Sequence, residues 1–218
     1  MTFLPLVPVM VFSTVVTGWF NLSEFLPVPL AVLAGAAWGA GIGLLGLRLR
    51  AVSWLEEVVV SLGAVGSAFA GCGGLMAILL LNGAMDSASL TGETLESTFL
   101  PSIPYYIAVN SILELVVIPL LIVLCRRRVP VLAAAALYFL MRVWTYLAFV
   151  PARMGWAESD HSAQVLTPAE RHQAAQDLML DDPRWIMLLV MFGLLLVPVR
   201  AGSHHGSAGL PAGKPAPA

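Results

Sequence analysis

Long apolar stretches recur along this chain of 218 residues and are the feature that most constrains its fold. A helix that crosses a bilayer needs roughly 20 such residues, and fewer where its ends snorkel or the bilayer thins. The stretches that meet or approach this length are Leu6–Phe20, Val28–Leu47, Leu55–Leu81, Ile103–Cys125, Val131–Val150 and Trp185–Val199. They predict an all-α, polytopic transmembrane helix bundle of about six spans. Because the first and last stretches are short, a five-span bundle with a re-entrant or interfacial first segment remains the alternative.

Composition agrees with lipid as the solvent of this chain. Hydrophobic residues make up 59% and charged residues only 11% of it, whereas soluble domains carry roughly 25% charged residues. We therefore expect a multi-pass protein of the cell membrane, the inner membrane where there are two, with the lipid bilayer as its main partner. The net charge of −2 and the lack of a basic block argue against nucleic acid. Met1–Leu6 contains no Lys or Arg, which favours a retained first span over a cleaved signal.

The basic residues predict the orientation. Arginines or lysine follow the second, fourth and sixth stretches, namely Arg48, Arg50, Arg126, Arg127, Arg128, Arg200 and Lys214. The positive-inside rule assigns that side to the cytoplasm, so both chain ends are expected inside. The few arginines on the other side are spread through one long acidic loop.

The expected domain organisation is a single transmembrane helical domain over residues 1–200, with outer loops at 82–102 and 151–184. Residues 201–218, rich in Gly, Ala and Pro, predict a disordered cytoplasmic tail. In the second loop, Thr167 and Glu170 with Pro168 form a capping-box pattern, which predicts a helix to about Leu180. A connector on the membrane surface is favoured over a lid for this helix. Asp182 is predicted to cap the last span.

Glycines line one face of two spans. Gly35, Gly39 and Gly43 recur at every fourth position of the second stretch, and Gly63, Ser67 and Gly71 do so in the third. Small residues let helices approach closely in lipid, where packing drives association. These faces predict contact between spans two and three, with a homo-oligomer seam as the alternative.

Polar residues inside the fourth and fifth stretches form the candidate site. Charged residues within a span are costly and usually face a partner or a cavity. Glu114 precedes Arg128 by fourteen residues and Arg142 follows it by fourteen, so a hairpin turning at Arg128 places them at equal depth. Residues four apart share a helix face. The two predicted polar faces are Tyr106, Asn110 and Glu114 on one helix, and Tyr138, Arg142, Thr145 and Tyr146 on the other.

Two roles remain open for this cluster. A buried ion pair that fixes helix register needs only Glu114 and Arg142. The number of additional hydrogen-bonding groups favours a substrate or proton site, in which Arg142 holds an oxygen and Glu114 acts as acid or base. The candidate substrate-binding residues are Glu114, Arg142, Asn110, Tyr146, Tyr106 and Tyr138.

Other chemistry finds little support in the sequence. The spans contain no histidine for haem, and there is no nucleotide-binding, zinc-protease or hydrolase motif, so no cofactor and no metal are expected. The outer-loop histidines His161 and His172 are favoured as solvated residues, as is the pair His204 and His205. Glu56 and Glu57 resemble the paired glutamates of CAAX-type proteases, but Ser61 stands where that motif has arginine.

From the third stretch onward the chain resembles the anthrone-oxygenase-like family of small membrane proteins. GSAFAGCGG in the first of four shared spans, TYLAFVP at the end of the third and an acidic helical stretch before Arg184 carry the resemblance, over about Leu55–Val199. The asparagine expected soon after Pro151 is missing. The resemblance implies oxidation of lipophilic aromatic compounds without an obvious cofactor, and it assigns no catalytic residue.

The favoured function is therefore binding, with or without transformation, of a lipophilic small molecule at the level of Glu114 and Arg142. A small carrier or membrane subunit of a transport system is the first alternative. A structural accessory subunit, in which the cluster locks two helices, is the second. A deep pocket open to lipid favours the first function, an aqueous path from one face the second, and a filled core the third.

Overall fold

The structure is a computed structural model that describes residues 6–125, 128–157 and 163–203. Regular structure in these residues is helical, apart from one isolated antiparallel bridge between Thr91 and Val165. The helices, numbered along the chain, are α1 (Leu6–Ser13, continued by π-helical turns over Thr14–Leu22), α2 (Val28–Leu49), α3 (Ser53–Met85), α4 (Gly92–Phe99), α5 (Ser102–Ile112, a π-helical turn over Leu113–Val117, and Ile118–Leu124), α6 (Arg128–Trp144, a π-helical turn over Thr145–Phe149, and Val150–Ala157), α7 (Pro168–Asp177) and α8 (Arg184–Ser203).

Four helical stretches are long and apolar enough to cross a membrane, which agrees with the predicted all-α bundle of membrane-capable helices. They are Val28–Leu49, Ser53–Met85, Gly92–Leu124 and Val129–Trp156. Leu6–Leu22 and Arg184–Val197 are shorter apolar helices. At 1.5 Å of rise per residue these two apolar segments measure about 25 Å and about 21 Å, below the roughly 30 Å of a bilayer core, although α8 as a whole has 20 residues and continues to Ser203. Six spans therefore stay a prediction.

The first and last helices each run antiparallel to a long neighbour. On α1, Leu6 lies beside Gly43 of α2 and Gly18 lies beside Gly35. On α8, Trp185 lies beside Gly74 of α3, and Leu195 beside Gly63. Because α2 leads directly into α3, the beginning of α1 and the end of α8 lie at the same end of the bundle. We call this the Arg50 end, and the opposite one the cap end.

The glycine faces pack against partners other than those predicted. A Cβ added to Gly35 or Gly39 would meet α1, one added to Gly71 would meet α8, and one added to Gly63 would meet both α5 and α8. The prediction that spans two and three pack through these faces is therefore wrong, because two short helices already occupy them. Ser67, predicted to lie against Gly39, is buried on α3 and donates to the Gly63 carbonyl at 2.6 Å. Both faces serve packing within the chain, so neither supports a homo-oligomer seam.

The cap end carries a second apolar core that the loop prediction did not anticipate. Helices α4 and α7 fall within the predicted outer loops, 82–102 and 151–184, and α3 and α6 also extend into these loops, to Met85 and Ala157. The core consists of Leu81, Leu90, Leu95, Phe99, Trp156, Ala174, Leu178 and Leu180. We call α4, α7 and this core the cap.

The start signals predicted for the second loop are confirmed. The Thr167 side chain accepts from the Glu170 N–H and the Glu170 carboxylate accepts from the Thr167 N–H, which is a complete capping box. The helix ends at Asp177, earlier than the predicted Leu180, and it packs in the cap instead of resting alone on a membrane surface. Asp182 accepts from the Arg184 N–H at 3.3 Å, as predicted for a cap of α8.

Some predictions fall on other parts of the chain. Helix α8 continues to Ser203, so the first residues of the predicted disordered tail, 201–203, are helical. His161, Arg126, Arg127 and the tail from His204 onward lie outside the described residues.

Candidate polar site in the helix bundle

A proline shapes the part of α5 that carries Glu114. Pro119 has no N–H, so the carbonyl of Leu115, four residues before it, loses its usual helical donor. The Trp38 indole N–H of α2 donates to that carbonyl instead, at 2.9 Å. Just before the proline the helix widens into a π-helical turn, in which the Ile118 N–H donates to the Leu113 carbonyl. Glu114 lies in this turn.

The same arrangement occurs in α6. Its π-helical turn, Thr145–Phe149, ends two residues before Pro151, just as Leu113–Val117 ends two residues before Pro119. Tyr146 therefore stands five residues before its proline, as Glu114 does. π-helical turns are rare and are frequent at functional sites. Here they turn a carboxylate and a phenol from neighbouring helices towards one another.

The predicted pairing of Glu114 with Arg142 is confirmed. The Nε atom of Arg142 contacts Oε1 of Glu114 in an ion pair, although its N–H is not aligned as a hydrogen bond. Both residues are buried, with 2% of Glu114 and 7% of Arg142 exposed. A pair so placed is costly to desolvate, and it persists only when further hydrogen bonds satisfy both groups.

Those further bonds form a closed ring through a third helix. Arg142 Nη2 donates to the Tyr146 hydroxyl at 2.7 Å, and this hydroxyl donates to Asn21 Oδ1. Asn21 Nδ2 donates to Glu114 Oε2 at 3.0 Å, which returns to the ion pair. We call Asn21, Glu114, Arg142 and Tyr146 the polar ring. Asn21 also lies in a π-helical segment, Thr14–Leu22, so three such segments supply three of its four members.

Two predicted residues attach to the ring from its side. The Tyr138 hydroxyl lies 2.9 Å from Glu114 Oε1 and 3.2 Å from Asn110 Oδ1, and it donates to these oxygens. Tyr138 is fully buried, whereas Asn110 is only half-buried. Equal distance from Arg128 would set Asn110 level with Tyr146. The bonds differ from that expectation, because Asn110 pairs with Tyr138, and Tyr146 with Asn21.

Tyr106 belongs to a separate group nearer the cap. Its hydroxyl lies 3.6 Å from the Cβ position of Gly74, beside Trp185 at the start of α8. The charges that act on it belong to Arg184, Arg153 and Asp182. Tyr106 lies eight residues before Glu114, about 12 Å along the helix axis, which places it nearer the cap than the polar ring. That the two residues share one helix face stays a prediction.

This second group was not predicted from the sequence. Arg184 Nη1 donates to Thr145 Oγ1 at 3.0 Å, and its Nε donates to Asp182. Arg153 Nε donates to the Leu178 carbonyl at 3.0 Å. The ring of Phe149 lies under both guanidinium groups, 3.3 Å from Arg184 Cζ and 4.6 Å from Arg153 Cζ. We call Tyr106, Phe149, Arg153, Asp182 and Arg184 the arginine cluster. Thr145 accepts from Arg184 of the arginine cluster and directly precedes Tyr146 of the polar ring, so the two groups are neighbours.

Packing changes abruptly at the polar ring. Towards the Arg50 end, every residue of Ile118–Leu124 is buried. Towards the cap end, no residue of Ser102–Ile112 is buried, and this segment packs mainly against α3. Glu114 lies between these two segments. The edge of the site formed by Asn21, Asn110 and Tyr146 is half-buried, so the site has one closed side and one open side.

The remaining chemical candidates lie apart from this site. Cys125 is buried and Cys72 exposed, and the two do not form a disulfide with one another. No group of three or more His, Cys, Asp or Glu side chains able to hold a metal ion occurs in the part of the chain that the structure describes. No protein-family model, curated protein or solved structure matches the chain. The resemblance to the anthrone-oxygenase-like family thus stays a prediction.

Proposed function

We propose that this protein binds a lipophilic small molecule through a polar group, at the polar ring and on the cap side of the bundle. The observation that carries the proposal is the change of packing at Glu114. Helix α5 is closely packed on one side of this residue and open on the other. A molecule entering the open side reaches the half-buried hydroxyl of Tyr146 and the amides of Asn21 and Asn110 at the boundary.

The chemistry of the open edge suits such a ligand. Asn21 and Asn110 offer amide groups, and Tyr146 offers a hydroxyl, beside apolar walls from α5 and α6. Ligand sites commonly combine apolar walls with a few convergent polar groups. Polar groups in a helix bundle are worth more to a ligand when water is excluded, as it is by the packed side of the site.

We further propose that all six apolar helices cross the bilayer, with both chain ends in the cytoplasm. The short helices α1 and α8 lie along α2 and α3 through glycine faces, which supports insertion beside full-length neighbours. A bilayer thins locally, or flanking side chains snorkel, where a helix is too short. Arg48 in the last turn of α2 and Arg50 directly after it lie at the end where α1 begins and α8 ends, in keeping with the positive-inside rule.

One observation favours a second candidate function, a structural lock. Both oxygens of Glu114 accept hydrogen bonds or face the guanidinium, and the ion pair is almost fully buried. A pair this well satisfied can hold α1, α5 and α6 in register without any ligand. A carrier, by contrast, requires a second conformation in which the packed segment Ile118–Leu124 opens.

Analysis of co-purifying compounds separates binding from locking. The parent, Glu114→Gln/Arg142→Gln and a control, Arg48→Gln/Glu57→Gln, are purified in one detergent and extracted with organic solvent. The control removes the same two charges, from exposed positions near the Arg50 end. Mass spectrometry should find a compound at near-equal molar amounts in the parent and the control and at least ~10-fold less in the ring variant.

The result that overturns the proposal is equally specific. If a folded, monodisperse ring variant carries the same compounds as the parent in the same amounts, the polar ring does not bind them. The structural lock is then the better account of Glu114 and Arg142.

A further inference from the structure

The arginine cluster concentrates positive charge that its own carboxylates do not balance. The charged groups of the polar ring and the arginine cluster are Arg142, Arg153 and Arg184 against Glu114 and Asp182. Arg142, Glu114 and Asp182 are buried, whereas Arg153 and Arg184 are half-buried. Glu114 is paired with Arg142, and Asp182 with Arg184. No carboxylate among residues 6–125, 128–157 and 163–203 forms an ion pair with Arg153. Within the described residues, the positive charge of Arg153 is therefore not balanced by an ion pair.

The two guanidinium groups of the cluster are also held close together. Both lie over the ring of Phe149, so their Cζ atoms are within about 8 Å of one another. Like charges repel strongly when they are removed from water. The aromatic face and the Leu178 carbonyl relieve part of this repulsion, but neither carries a full negative charge. An anion bound to both guanidinium groups would offset the repulsion between them.

The position of the cluster suits one class of anion. It lies between the cap and the polar ring, on the open side of α5, where Ser102–Ile112 has no buried residue. Arg184 reaches Thr145 on one side and Asp182 on the other, so the cluster is continuous with the polar ring. A molecule with its apolar part along α5 would bring an attached charged group to Arg153 and Arg184.

We propose that the ligand of this protein is an anionic amphiphile, whose phosphate or carboxylate binds Arg153 and Arg184 while its apolar chain lies in the open side of α5. This inference rests on the proposed function and names its ligand class. Guanidinium groups bind phosphate and carboxylate through paired, charge-assisted hydrogen bonds.

Three probes separate the charge from the chain. The protein in neutral phosphatidylcholine nanodiscs is titrated with dioleoyl phosphatidic acid, with dioleoylglycerol, which has the same chains without phosphate, and with inorganic phosphate. Native mass spectrometry counts the molecules bound. Phosphatidic acid should bind at least ~10-fold more tightly than dioleoylglycerol, and inorganic phosphate should bind weakly. Tight binding of inorganic phosphate alone would overturn an amphiphile in favour of a free anion.

Arg153→Gln is the decisive variant, with Arg48→Gln as its matched control. Arg48 is exposed near the Arg50 end, so the control removes the same charge far from the cluster. Without ligand, Arg153→Gln should be at least as resistant to thermal unfolding as the parent, because it relieves repulsion. It should also lose the ~10-fold preference for phosphatidic acid, which Arg48→Gln should keep. A preference unchanged in a folded Arg153→Gln protein would overturn the inference.

The two proposals fail in different ways. If phosphatidic acid and dioleoylglycerol bind the parent equally, and Glu114→Gln/Arg142→Gln abolishes binding of both, the anionic class is wrong while the polar-ring site stands. If neither lipid binds, or the ring variant binds both as the parent does, the proposed function itself is wrong.

Discussion

The contact between α1 and α2 provides the sharpest test of the packing. A Cβ added to Gly35 would lie 2.6 Å from the Ser13 carbonyl oxygen and 2.7 Å from Gly18 Cα. Both are backbone atoms, so no side chain can move aside and α1 itself must shift. On the same helix, a Cβ added to Gly41 would meet nothing within 4 Å. Gly35→Ala and Gly41→Ala therefore make the same chemical change in opposite surroundings.

We expect the two variants to change stability in opposite directions. Overpacking typically costs 1–3 kcal/mol, and a clash with backbone should fall near ~3 kcal/mol. Alanine is favoured over glycine inside a helix by roughly 1 kcal/mol. Gly35→Ala should then lose about 2 kcal/mol of unfolding free energy, while Gly41→Ala should gain up to ~1 kcal/mol. The measurement is reversible unfolding in mixed micelles with increasing denaturing detergent, followed by circular dichroism. Equal stability of the two variants would refute the close approach of α1 to α2.

Two further predictions concern topology and the cap. Reporter fusions after Arg50 and after Arg200 should both give cytoplasmic signals, and signals from opposite sides would refute an even number of spans between these two positions. Thr167→Ala should destabilise α7 by about 1 kcal/mol, measured as faster amide exchange in that helix. The Thr167 N–H lowers the pKa of Glu170, so this cap should hold above the ordinary carboxyl pKa and weaken as pH falls through the lowered value. Amide exchange in α7 that stays constant through that fall in pH would contradict this role of the Glu170 carboxylate.

Sequence arithmetic predicted the ion pair because the α5–α6 connection is short. A short connection leaves little freedom in how two antiparallel helices align, so equal distance from the turn becomes equal depth. The same arithmetic did not predict the side-chain partners of Asn110 and Tyr146. Depth is fixed by rise per residue, but the direction in which a side chain points depends on the turn of the helix, which the π-helical turns change.

The glycine faces show a different limit. The small residues of both faces correctly predicted a close helix contact; they are Gly35, Gly39 and Gly43 on α2 and Gly63, Ser67 and Gly71 on α3. A face of small residues, however, predicts only that another helix packs closely against it and does not identify that helix. Because the second and third spans are consecutive and both have such a face, they were predicted to pack against one another. The short helices α1 and α8 bind these faces instead, which required knowledge of the whole bundle.

Asn21 and the π-helical turns were missed although the sequence contains their signals. Asn21 directly follows the first apolar stretch, Leu6–Phe20, and was not predicted as a residue of the site. Helix α1 is short, so its last turn reaches the depth of Glu114. Pro119 stands inside the fourth apolar stretch and Pro151 directly after the fifth, each five residues after a polar residue of the ring. A proline inside a helix frees the carbonyl four residues earlier, so matched prolines in neighbouring spans mark a place where the helices can widen.

The directed hydrogen bonds of the polar ring lead to a final prediction about stability. Arg142 donates to Tyr146, Tyr146 donates to Asn21, and Asn21 donates to Glu114. In Glu114→Gln the new amide places a donor opposite Asn21 Nδ2 unless either amide turns over. If Asn21 turns over, it no longer accepts from Tyr146. This variant therefore loses the charge that balances Arg142 and also disturbs the ring.

A double-mutant cycle measures this coupling. Glu114→Gln and Arg142→Gln should each cost roughly 3–5 kcal/mol, because each leaves a buried charge without its partner. The double variant leaves none, and two glutamine amides can donate and accept in either direction. Its cost should therefore fall short of the sum of the single costs by at least ~2 kcal/mol, in the same mixed-micelle unfolding assay. Single costs that add to within ~0.5 kcal/mol would mean that the two residues act independently. In that case the ion pair does not join α5 to α6 in solution, and the polar ring is not a unit that a ligand can recognise.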